Sequence, residues 1–156
     1  MPITYVAIPT ETARAWQNGG PDAYGKKPER QIADDGGYQC RHCLTIIPPG
    51  EAMLLVAHRP FDALDAYAET GPIFVCEKHC EGFGRQENVP ETLTASPDYL
   101  VKAYGSNDRI IYGTGRVVAA DEMAARAQEL FDDPNVAYLH VRSSRNNCYQ
   151  ARIVRG

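Results

Sequence analysis

The chain has 156 residues, enough for one domain with a buried core, and its 44% apolar and 23% charged residues are those of an ordinary globular protein, not a disordered one. A formal net charge of −4 supplies no general attraction to nucleic acid or to an anionic membrane, so neither is expected as a partner. The first eight residues lack the basic region and the length of a secretory leader, and no apolar run approaches the roughly 20 residues of a membrane span, so the expected location is the cytoplasm.

Residues 3–8 are β-branched and aromatic and predict an opening strand. Thr10 follows as the expected N-cap of a helix that carries Glu11 in its first turn, runs through Ala13, Ala15 and Trp16, and stops at Gly19-Gly20. Residues 19–30 read as a loop, 31–33 as a short strand, and Asp35-Gly36-Gly37 as a turn. Residues 38–47 carry a Cys-x2-Cys pair and end at Pro48-Pro49-Gly50. Met53-Leu54-Leu55-Val56 then predicts a buried strand within 51–58. Residues 59–71 read as loop, 73–76 as another buried strand, and the aperiodic segment 77–97 as a covering loop.

Residues 99–104 and 109–112 are expected to pair as a hairpin around Gly105-Ser106-Asn107-Asp108, with 116–119 continuing the sheet. Residues 121–131 form the clearest helix, with Met123, Ala127, Leu130 and Phe131 on one stripe and Glu122, Arg126 and Glu129 off it. Residues 136–142 alternate, with Ala137, Leu139 and Val141 on one face, and Tyr149, Ala151 and Ile153 alternate again, so the two segments make a terminal hairpin. In that alternation His140 points outward with Tyr138 and Arg142, as a solvated strand residue. About eight strands and mostly hairpin-length connections imply an α+β fold: a single domain over residues 1–156, largely antiparallel sheet with about two helices.

The chemistry-bearing residues are chiefly the five cysteines, Cys40, Cys43, Cys76, Cys80 and Cys148. An odd number in a reducing compartment argues against a disulfide framework. Cys40 and Cys43 form one pair, and Cys76 and Cys80, with His79 between them, form another. Thiolates about two to four residues apart at strand edges suit a tetrahedral zinc ion. The expected set is Cys40, Cys43, Cys76 and Cys80, with His79 as alternate for Cys76 or Cys80. Four protein ligands leave no open position, so such a zinc would be structural. Arg41, His42, Lys78 and His79 stand near enough in sequence to offset its double negative charge. Against the pattern, no glycine follows Cys43 and 32 residues separate the pairs. Buried free thiols are the alternative reading.

Catalytic readings of the same residues fit less well. Strand and turn, not a helix, come after Cys43, so nothing lowers a thiol pKa as oxidoreductase sites require. A Rieske-type set of Cys40, His42, Cys76 and His79 lacks the loops that wrap such a cluster. His79-Cys80-Glu81 satisfies His-x-Glu, but the deaminase order is reversed and Gln39 replaces the expected proline.

Charge is uneven along the chain. Residues 51–91 carry eight acids against three bases, whereas residues 141–156 carry Arg142, Arg145, Arg152 and Arg155 and no acid. Arg142 and Arg152, facing each other across the terminal hairpin, would suit a bound carboxylate or phosphate. The plainer expectation is pairing with the acidic segment. The same hairpin suggests two further functions: an enzyme cleft of Cys148, Arg142 and Arg152 with His58 or Tyr67, or an interaction module using exposed arginines.

The set Cys40-Arg41-His42-Cys43-Leu44, Pro49-Gly50-Glu51, Arg59-Pro60-Phe61 and Gly71-Pro72-Ile73-Phe74-Val75 is distinctive. With Val136-Ala137-Tyr138, Val141-Arg142 and Cys148-Tyr149 before Arg152-Ile153, it resembles the bacterial domain-of-unknown-function family 1203, from Tyr38 onward. The resemblance implies a small stand-alone cytosolic protein and no particular activity, substrate or cofactor. This chain has Asn147 where that family commonly has glycine before Cys-Tyr.

Overall fold

A computed structural model of the protein describes residues 2–156; Met1, the first residue of the stretch read as unlike a leader, lies outside them. The first strand, β1 (Ile3–Val6), alternates as its sequence requires, with Ile3 and Tyr5 turned inward. It belongs to a six-stranded antiparallel sheet with β5 (Arg85–Gln86), β6 (Asp98–Tyr104), β7 (Arg116–Ala119), β8 (Tyr138–Ser143) and β9 (Tyr149–Arg155). Their order across the sheet is β5-β1-β9-β8-β6-β7. One face packs on α2 (Met123–Phe131), where Met123, Ala127, Leu130 and Phe131 meet Val101, Leu139, Val141 and Ile153. Arg126, expected off the apolar stripe, is buried: its Nη2 donates to the Thr114 carbonyl at 2.9 Å and its Nη1 pairs with Glu129 at 3.1 Å, so the desolvated charge has partners.

A second, three-stranded antiparallel sheet has the order β2 (Glu29–Ile32), β3 (Ala52–His58) and β4 (Gly71–Cys76). Its core joins Met53, Val56, Ile73 and Val75 to Trp16 of α1 (Thr10–Gln17). The expected α+β, antiparallel character holds, with two α-helices and nine strands divided between two sheets among the described residues. Two local expectations change. Thr10 is the first helical residue and Pro9 the N-cap, which frees the threonine hydroxyl for another partner. Residues 109–112 make only an isolated bridge, Tyr104 to Ile110, because the Thr114 hydroxyl accepts the Ala103 N–H that a partner strand would take; β6 pairs instead with β7. The segment 77–97 holds the short β5 and a 3₁₀ turn at Glu91–Leu93.

The larger correction concerns the other face of the six-stranded sheet. His140 is fully buried and Arg142 is 5% exposed, not solvated. Residues 59–70 cross that face: Phe61 packs with Tyr104 and Tyr138, the Tyr67 and Tyr112 hydroxyls lie 3.0 Å apart, and Glu69 pairs with Lys102. Strand β8 is therefore covered on both sides, and alternation alone cannot reveal a second cover. No helix among the described residues is long and apolar enough to cross a membrane.

Leu139 has no exposed surface and sits in the central strand. Leu139→Ala should lower the unfolding free energy in urea by about 2–5 kcal/mol, whereas Val117→Ala, at a half-exposed position, should change it by no more than about 0.5 kcal/mol.

Candidate metal centre

The first cysteine pair sits at the tip of a tight backbone loop. Gln39 bridges to Ile46, Ile47 donates to the Tyr38 carbonyl, and Cys40 donates to the Thr45 carbonyl at 3.0 Å. Leu44 donates to the Cys40 carbonyl at 2.9 Å and takes φ +55°, the left-handed conformation that a glycine ordinarily supplies. Leucine tolerates it because its side chain is 1% exposed in the core, and that burial offsets the backbone strain. The Cys43 and Cys76 amides point at the Cys40 sulfur, at 3.5 and 3.3 Å.

The second pair closes the cage from the end of β4. Cys40 lies beside Phe74 in a parallel bridge, and Arg41 donates to the Phe74 carbonyl at 3.0 Å, so the loop tip is carried by the strand that ends in Cys76. Helix α1 holds the turn beyond that strand: Gln17 Nε2 donates to the Cys76 and Lys78 carbonyls, and Arg14 Nη2 to the Cys80 carbonyl at 2.8 Å. The sulfurs of Cys40, Cys43, Cys76 and Cys80 then all lie within 4.8 Å of one another, with Cys40–Cys80 at 3.9 Å and Cys43–Cys76 at 4.0 Å. These separations exceed the ~2.05 Å of a disulfide. The group is compatible with a metal ion.

His79, the expected alternate, is exposed and outside this group. The imidazole that matters is His42, which composition marked only as a nearby charge. It is fully buried, with Nδ1 3.0 Å from the Cys80 sulfur and Nε2 2.8 Å from the Thr10 hydroxyl. Thr10 donating to Nε2 leaves Nδ1–H to donate to the sulfur. The only sequence signal was a histidine inside Cys-x2-Cys. Lys78 is turned to Glu51 at 2.9 Å, and the Arg41 guanidinium donates to the carbonyls of Tyr149 and Gln39. Burial brings Arg41 down to about 10, opposed by the nearby thiols of Cys148 and Cys40. Within the cage, hydrogen bonds from Cys40, Cys76 and Cys80 hold Cys43 below the ordinary thiol value, while bonding with Cys40 and Cys43 raises Cys76 and Cys80. Four sulfurs this close cannot all be thiolates at once unless a cation stands among them.

The hairpin arginines lie elsewhere. The ladder sets Arg152 opposite His140, and a bulge after Val141 sets Arg142 opposite Tyr149, so the two arginines do not face each other. Arg142 donates to the Asn147 carbonyl and stands 3.7 Å from Glu69, a member of the acidic segment. Asn147 takes φ +59°, the conformation that explains a glycine in the family it resembles and that asparagine also adopts. Arg152 donates to His140 Nε2 and to the Pro60 carbonyl, with its guanidinium 3.9 Å from the Tyr138 ring centre. Arg155 caps carbonyls at the end of α2, and Arg145, the exposed arginine of the hairpin turn, pairs with Asp98. The thiol of Cys148 contacts the Asn146 carbonyl at 3.8 Å and lines a cavity of about 240 Å³ with His58, Glu69 and Arg142. Tyr67 is turned to Tyr112, and His58 lies edge-on between Trp16 and Tyr149. Burial and then Arg152 bring His58 down to about 4, and the same causes hold His140 well below the ordinary imidazole value.

A Cβ at Gly82 would lie 2.8 Å from both His42 Nε2 and the Thr10 hydroxyl. Neither atom can yield without breaking the bond between them, so Gly82→Ala should destabilise the fold by about 1–3 kcal/mol, read from urea unfolding.

One family model matches the chain: residues 37–155 fit the family described as protein of unknown function (DUF1203), and the chain belongs to that family. No curated protein and no solved structure matches it.

Proposed function

We propose that this family member is a cytosolic, single-domain α+β protein whose four-cysteine cage holds a structural zinc ion. The carrying observation is the mutual approach of four sulfurs to within 4.8 Å, from segments 33 residues apart. A tetrahedral ion with Zn–S bonds near 2.3 Å needs sulfur–sulfur edges of about 3.8 Å. The Cys40–Cys80 and Cys43–Cys76 edges, at 3.9 and 4.0 Å, lie close to that value. Cys40, Cys43, Cys76 and Cys80 would fill all four positions, so the ion would bind no substrate and would tie the loop tip to the end of β4. His42 would orient Cys80 and offset part of the thiolate charge through its N–H. A reducing cytosol keeps such thiols available to metal.

Elemental analysis of protein purified without added zinc should find about one zinc per chain. Sub-stoichiometric metal, with all four cage thiols titratable in the native state, would overturn the reading. Chelator competition should show His42→Ala binding zinc about 10–100-fold more weakly, as expected when the hydrogen-bond partner of a ligand is lost. Cys76→Ser should lower thermal stability in zinc-loaded protein far more than Cys148→Ser, because Cys148 stands outside the cage.

A further inference from the structure

The face of the six-stranded sheet under residues 59–70 concentrates hydrogen-bond donors without acceptors. Arg142 is 5% exposed; Nη1 is taken by the Asn147 carbonyl, but Nε and Nη2 are buried with no partner. Those two atoms form the side-on edge of the guanidinium, the edge that takes both oxygens of a carboxylate or phosphate at once. His140 adds another donor. Its Nε2 accepts from Arg152 Nε, which places the proton on Nδ1, and Nδ1 is also buried without a partner. The Tyr104 hydroxyl is the third such group, its ring centre 4.8 Å from that of His140. Burial raises the Tyr104 phenol to about 12, and the neighbouring Arg142 opposes the shift.

Native proteins rarely leave buried polar groups unpaired, and here the orphaned atoms of Arg142, His140 and Tyr104 can all donate. Charge points the same way. Arg142, Arg152 and Lys102 share this face, and Glu69 is the carboxylate paired with two of them. Glu69 accepts from Lys102 at 3.1 Å, but its side chain is 35% exposed, it rides on the covering segment, and its 3.7 Å separation from Arg142 is too long for a hydrogen bond. The cavity that Arg142 and Glu69 line measures about 240 Å³, below the roughly 300 Å³ at which pockets for drug-sized ligands begin.

We propose that this cavity binds the oxyanion of a small metabolite, a carboxylate or a phosphate, on the Nε–Nη2 edge of Arg142, which lines it. Glu69 is the internal carboxylate that such an anion displaces as residues 59–70 shift. None of these distances depends on the cysteine cage holding metal, so this reading and the zinc reading fail independently.

The test titrates the full-length protein with inorganic phosphate, acetate and succinate at ionic strength fixed with chloride. Thermal stability is followed together with the arginine side-chain ¹H–¹⁵N resonances. At least one probe should bind saturably and shift the Arg142 Nε–H resonance; whether phosphate or a carboxylate does so identifies the ligand class. Arg142→Lys, which keeps the charge but loses the two-donor edge, should weaken binding by about tenfold or more, and Glu69→Gln should strengthen it several-fold. No saturable binding of any probe, or binding that Glu69→Gln leaves unchanged or weakens, overturns the proposal. The glutamine variant, at a partly exposed position, decides the matter even if the arginine variant fails to fold.

Discussion

Residues 40–42 are suspended between the two sheets by their own backbone. Ile8, just beyond the large sheet, donates to the Arg41 carbonyl; Arg41 donates to Phe74 of the small sheet; Phe83 donates to the His42 carbonyl. Three chain segments distant in sequence thus use one tripeptide to satisfy groups that burial would otherwise leave unpaired. The cysteine positions result from this arrangement, because the thiols project from a loop whose path the neighbouring strands dictate.

Helix α1 serves the same junction from outside. Its Trp16 packs into the core of the small sheet, which sets the helix against β3 and leaves its polar side chains toward the turn after β4. Arg14 and Gln17 then occupy carbonyls from Cys76 to Cys80, and the Thr10 hydroxyl lies within hydrogen-bond distance of His42 Nε2. A short helix of eight residues would be marginal alone. Here its packing and its hydrogen bonds order a second loop, so the stability of the helix and the geometry of the sulfurs are coupled.

The large sheet divides its two faces by chemistry. On the α2 side, Leu139, Val141, Ala151 and Ile153 are wholly buried in an apolar layer. On the other, Tyr138, His140 and Arg142 are buried among aromatic rings under a segment with no regular structure. Polar groups desolvated in this way destabilise a fold unless they find partners, and Arg152, Pro60 and Asn147 supply only some of them. The fold thus tolerates a cluster of incompletely paired polar groups on one face of the sheet and an apolar layer on the other.

Much of this was legible from residue order alone. Period-two alternation located the terminal hairpin, an apolar stripe located α2, and two cysteine pairs at ligand spacing named the four sulfurs that converge, since each of these signals is local. The role of His42 was not legible, because its partners come from residues 32 and 38 positions away. Nor was the burial of His140 and Arg142: alternation says which side chains share a face, and only the tertiary path of residues 59–70 decided that this face would be covered. Leu44 shows the same limit from the other side. Its left-handed backbone is what a rule favouring glycine advises against, and the packing of its side chain overrides that preference. Local sequence determined elements and ligand spacing; long-range packing decided which polar groups lost their water, and with it where the chemistry of this chain is concentrated.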